Sequence, residues 1–128
     1  MAFHAGVHLA GQPAGLTVQN GAPLTSFNVY GTVSGVSIYN GDVVTGTVGA
    51  GEWTSTKKNY WIAGAEYNFA ALANAGTVIL GSDNLPATTT FDATNANVDL
   101  LYAEPVSRTG KASGNEPVAF TFNHLLSK

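Results

Sequence analysis

Three short stretches carry residue types that could do acyl-transfer chemistry. Ser55-Thr56-Lys57-Lys58 sets a serine three residues before a lysine, Ser82-Asp83-Asn84 follows, and Arg108-Thr109-Gly110 comes last. A serine nucleophile with a lysine neighbour, then S-D-N, then K-T-G, is the order used by serine acyl-enzymes. That chemistry needs Ser and Lys held together by one helical turn. Here Trp53-Thr54 and Tyr60-Trp61 flank the pair, which predicts a strand over 53–62. Alternation in a strand sends Ser55 and Lys58 to opposite faces, so the match is read as chance. Gly46, Gly49 and Gly51 lack the last glycine of a phosphate-binding G-x-G-x-x-G, because Thr54 stands there. Gly110-Lys111 is followed by Ala112 and not by the Ser or Thr of a P-loop. His4 and His8 have the i, i+4 spacing of metal ligands on a helix, but Gly6 lies between them and no acid is near. His124, alone, reads as a partly buried polar residue. The eight carboxylates show no spacing that pairs any two as acid and base. No catalytic residue, metal or cofactor is expected.

The composition points away from several partners. Of 128 residues only 10% are charged, against about 25% in a typical soluble domain. A monomer of this size exposes roughly 6,400 Å², so charge is sparse on it. Net charge is −3 and pI ≈ 5.4, with no basic footprint for gripping nucleic acid. There is no cysteine to build a disulfide scaffold. No apolar run approaches the ~18 residues of a membrane-crossing helix, and no membrane partner is expected. Residues 1–10 lack Lys and Arg, so they do not read as a signal peptide. No N-x-Ser/Thr sequon occurs. Such a neutral surface is either covered in an assembly or belongs to an ordinary Thr/Asn-rich β domain.

The length fits one domain, 1–128. Leu16-Thr-Val-Gln alternates, then Asn20-Gly21 supplies a hairpin turn, then residues 24–38 alternate again with a bulge or bend at Gly31 and Gly35. Asn40-Gly41 predicts a second turn into Asp42–Thr45, which makes 15–48 a three-stranded meander. The glycine-rich stretch 41–52 reads as a flexible loop or hairpin arm, and 1–14 as an N-terminal arm. Ala65, Phe69, Leu72 and Ala73 fall at helical spacing with Gly76 behind them, predicting a short helix over 64–75. Strands follow at 77–80, 88–91 and 98–103. Residues 104–116, with Pro105, Gly110 and Gly114, read as a loop, and Val118, Phe120 and Phe122 mark a closing strand. The fold class expected is mainly β: an antiparallel sandwich or barrel with one short flanking α-helix.

From Gly15 to His124 this pattern resembles the tail tube proteins of long-tailed bacteriophages. The resemblance is carried by Gly15-Leu-Thr-Val-Gln-Asn-Gly21, the Gly/Thr-rich arm 41–51, Trp53-Thr-Ser-Thr through Tyr60-Trp61, Glu66-Tyr-Asn-Phe-Ala-Ala-Leu, Val98-Asp-Leu-Leu-Tyr and Pro117–His124. It implies a virion subunit, made in the host cytoplasm, that forms stacked hexameric rings in the tail. Its partners would be copies of itself, other virion proteins, and DNA passing through unbound. It assigns assembly contacts to His4, His8, Val43, Val44, Trp53, Tyr60 and Trp61, and a channel lining to Asp42 and Asp99. A capsid decoration protein is the second reading. A carbohydrate-binding β-sandwich, with Trp and Tyr rings exposed on one face, is the third.

Overall fold

A computed structural model describes residues 1–8, 24–47, 51–73, 75–91 and 101–124. Nine strands follow in order: β1 Phe3–His8, β2 Ser26–Val33, β3 Val36–Thr45, β4 Thr54–Ser55, β5 Glu66–Ala73, β6 Ala75–Leu80, β7 Pro86–Phe91, β8 Leu101–Thr109 and β9 Val118–His124. Seven make one sheet in the order β1-β9-β8-β5-β2-β3-β4, and β6-β7 make a separate hairpin. All ladders are antiparallel except β1–β9, which is parallel and in register from Phe3↔Val118 to His8↔Asn123. The two margins of the large sheet meet at a single antiparallel bridge, Phe3↔Trp53. The sheet is therefore a nearly closed barrel.

Aromatic side chains fill it. Phe3, Phe27, Tyr39, Trp53, Tyr67, Phe69, Phe120 and Phe122 are all buried. The Phe3 ring stands edge-on to Tyr39 at 5.6 Å and to Phe69 at 6.4 Å, and stacks on Phe120 at 6.1 Å. These are the spacings that offset and T-shaped pairs prefer. Residues 3–8, within the segment expected as an N-terminal arm, belong to the barrel wall as strand β1. The Phe3 ring is the reason, since it is fully buried at the centre of that cluster.

No helix is present among the described residues, and 66–73 is strand β5. Tyr67, Phe69, Ala71 and Ala73 face the barrel interior, while Ala70 and Leu72 face out. The outer pair is covered too, because the β6–β7 hairpin lays Val78, Leu80 and Leu85 against Tyr30, Ala70 and Leu72. A strand covered on both faces loses its polar alternation and reads as a continuous apolar run. That is what imitates helical spacing here.

The turn between β2 and β3 is also not where Asn-Gly suggests. The chain reverses at Ser34-Gly35, both with positive φ (49° and 82°), between the paired residues Val33 and Val36. Positive φ at both central positions marks a type I′ hairpin. Asn40-Gly41 sits inside β3 as a bulge: Val29 pairs with Asp42, Tyr30 with Asn40, and Gly41 (φ 78°) is the extra residue. Residues 41–45 are accordingly strand. Of the strand expected over 53–62, only Thr54–Ser55 joins a ladder.

Strand β8 runs through Pro105 to Thr109, where the sequence suggests a loop. Proline has no N–H to donate, and the β5–β8 register breaks beside it, between Phe69↔Val106 and Ala71↔Ala103. The β8–β9 ladder covers only Leu101–Ala103. Beyond it the Arg108 guanidinium donates to the carbonyls of Glu116 (2.8 Å) and Pro117 (3.4 Å), tying the start of β9 back to β8. The strand expected at 16–19, the Asn20-Gly21 turn, and residues 98–100 lie outside the described residues.

Candidate functional site

Two of the most exposed large apolar side chains, Tyr60 and Ile62, lie on the segment after β4. Along 58–62 exposure alternates: Lys58, Tyr60 and Ile62 are exposed, Asn59 and Trp61 half-buried. Tyr60 keeps 80% of its surface and Ile62 58%. Trp61 turns inward and packs edge-on against Tyr67 at 4.7 Å and Phe69 at 6.0 Å. The outward row therefore reads Lys58, Tyr60, Ile62, as in a strand.

This segment is fixed to the barrel, although no ladder holds it. Asn59 Nδ2 donates to the Ile38 carbonyl at 3.0 Å, and the Met1 nitrogen donates to the Asn59 carbonyl at 2.8 Å. The buried Tyr67 hydroxyl accepts the Ile62 N–H at 2.7 Å. The next turn is clasped by the end of β8: Gly64 N–H donates to Gly110 O at 2.9 Å and Gly110 N–H to Ala65 O at 2.8 Å. Gly110 permits this contact. A Cβ there would lie 2.1 Å from the Ile62 carbonyl oxygen. The hairpin turn approaches the same end, with Ser34 N–H donating to Glu66 O at 2.9 Å. Next to that turn Val36 is 64% exposed.

Charges of both signs meet at this end, where Glu66 follows Ala65 of the clasp and pairs with Thr109 next to Arg108. Segments 57–65 and 108–111, which meet at the Gly64–Gly110 clasp, contain Lys57, Lys58, Arg108 and Lys111 and no acid. The other described residues contain Asp42, Glu52, Glu66, Asp83, Glu104 and Glu116 and no Lys or Arg.

The residues expected at assembly contacts divide. His4 is exposed on β1, His8 ends that strand, and Val43 is exposed on β3. Tyr60 is exposed and Trp61 half-buried, as described. Val44 and Trp53 are buried inside the chain itself, because both sit on the inward face at the barrel seam. They are core residues here. Asp42 accepts the Asn40 N–H at 2.8 Å and so fastens the Gly41 bulge. Asp99 lies outside the described residues. Ile62 and Val36 were missed, because periodicity assigns apolar residues to the interior and gives no signal for one turned outward.

The acyl-transfer set does not converge. Ser55 pairs with Val44 and accepts the Lys57 N–H at 3.2 Å, while Asn84 Nδ2 bonds Gly35 O at the opposite end of β3. Among the described residues no three His, Asp or Glu side chains gather into a metal-ligating group. One buried polar atom there, the Tyr39 hydroxyl, makes no well-formed hydrogen bond, although Asn59 lies beside it. Burial pushes that phenol above its ordinary pKa, and burial does the same to Tyr30. Among the described residues no helix is long and apolar enough to cross a membrane.

These features define a nearly closed β-barrel domain with Tyr60 and Ile62 exposed on the segment after β4. Residues 16–128 match the fimbrillin-like family model, and the chain belongs to that family. Strand β1 precedes the matched stretch. No curated protein and no solved structure matches the chain significantly. The family overturns the bacteriophage reading: a tail tube subunit and its virion location are set aside. The capsid and carbohydrate-module alternatives fall with it. The misreading has a physical source, since small cysteine-free β subunits with neutral surfaces share strand patterns without sharing ancestry.

Proposed function

We propose that this chain is a structural subunit of a bacterial surface fimbria, working by assembly with copies of itself and not by catalysis. The observation that carries this reading is the fimbrillin-like match over residues 16–128. The sparse, mixed Thr/Asn/Ser surface supports it, because a surface met by neighbours needs little charge for solubility. Immunogold labelling of the producing bacterium with antibody raised against the chain tests it. Gold particles in rows along surface fibres are the expected result. Label restricted to the cell interior, with bare fibres, would sink the proposal.

A further inference from the structure

We propose that Asn40 is a self-modification site, at which the Gly41 nitrogen displaces the side-chain amide and leaves aspartate or isoaspartate in the β3 bulge. The inference is independent of the fimbrial reading. Asn40-Gly41 makes no turn here, because Gly41 is the extra residue of the bulge and has no partner on β2. A bulge leaves that residue out of the regular ladder. Gly41 holds φ 78°, and without a Cβ its nitrogen is open to close approach. Asn40 itself is exposed.

The other described asparagines lack this combination. Each precedes a residue larger than glycine. Asn28, Asn59, Asn68, Asn84 and Asn115 are also held by hydrogen bonds through the side-chain amide. Asn40 is tied through its backbone N–H, which donates to Asp42 Oδ1 at 2.8 Å. Its side-chain amide makes no hydrogen bond to a described residue.

The chemistry uses only the chain and water. The Gly41 nitrogen attacks Asn40 Cγ, so an N–Cγ bond forms and the Cγ–Nδ2 bond breaks. The amide leaves as ammonia and carries off the Gly41 proton. Water then opens the cyclic imide, and nothing is oxidised or reduced. Opening at Cγ gives aspartate. Opening at the main-chain carbonyl gives isoaspartate, with the backbone routed through Cβ and Cγ. Either product adds one carboxylate two residues from Asp42, and isoaspartate adds a carbon to the main chain where the ladder already carries an extra residue.

The full chain is incubated at neutral pH, folded and in urea, and tandem mass spectrometry follows the replacement of NH2 by OH at each asparagine. Electron-transfer fragmentation separates aspartate from isoaspartate. In the folded chain Asn40 should convert at least tenfold faster than Asn28 or Asn59, and at no less than a tenth of its rate in urea. Asn40→Gln should abolish conversion at that position, because its longer side chain closes the ring poorly. Conversion of Asn28 or Asn59 within tenfold of Asn40 would overturn the site. So would a folded chain that converts Asn40 less than a tenth as fast as the unfolded one, since the bulge would then protect it.

Discussion

Phe3 and Trp53 exchange two backbone hydrogen bonds across the barrel seam, Phe3 N–H to Trp53 O at 3.1 Å and Trp53 N–H to Phe3 O at 2.7 Å. This one bridge closes a seven-stranded sheet, and the Phe3 ring anchors it among four other aromatic rings. Phe3→Ala removes the anchor and leaves a cavity between strands, at a cost of about 3–5 kcal/mol. His4→Ala, one residue along and exposed, should change stability by less than about 0.5 kcal/mol. Urea unfolding of the two variants measures the contrast. Equal losses would show that the ring does not hold the seam.

Tyr39→Phe should be close to neutral, within about 1 kcal/mol, since the buried hydroxyl it removes makes no well-formed hydrogen bond and has only Asn59 beside it. The variant should also change the alkaline limb of the stability curve. Burial raises the folded-state pKa of Tyr39, so above about pH 10 the unfolded chain loses the phenolic proton before the folded one does. Stability therefore falls as pH rises past that point. The fall should be shallower in Tyr39→Phe, though not absent, because Tyr30 is raised in the same direction. Chemical denaturation between pH 8 and pH 11 reads both effects.

Gly110→Ala places a methyl group 2.1 Å from the Ile62 carbonyl oxygen and 3.1 Å from the Tyr67 ring. Neither neighbour can yield without opening the clasp to Gly64 and Ala65. Overpacking of this kind costs about 2–3 kcal/mol. Thermal unfolding should show the loss, and faster amide exchange at Ile62 and Gly64 should locate it. A parent-like melting temperature would mean that the clasp tolerates a side chain.

Ser34→Asn should stabilise by about 0.5 kcal/mol. Serine holds φ 49° at the first central position of the β2–β3 turn, a conformation asparagine adopts more readily. Since the side chain is exposed, the midpoint of urea unfolding should rise with no change of slope.

That substitution would create an Asn-Gly pair where the chain does turn, which shows why the existing pairs mislead. Asn40-Gly41 supplies the positive φ of a turn, but a bulge needs the same φ, and only the pairing of Val29 with Asp42 distinguishes them. Where one strand face stays exposed the alternation was readable: Val118, Phe120 and Phe122 are buried between exposed Ala119 and Thr121. In β5 the hairpin covers the outer face, and the periodic signal vanished with the solvent contact that creates it. The candidate surface was only half legible. Tyr60 and Trp61 stand out as aromatics, but Trp61 faces the core, and Ile62 beside it faces water only because Tyr67 and Gly110 fix the backbone between them.

The parallel pairing of β1 with β9 has a mechanical consequence. A pull that separates Phe3, at the start of β1, from His124, at the end of β9, drives the two strands along each other's length. Their six paired positions are then loaded together in shear and must give way as a group. In an antiparallel hairpin pulled from its open end, by contrast, the rungs break in succession. A subunit held at those two strands would resist tension with its whole terminal ladder at once.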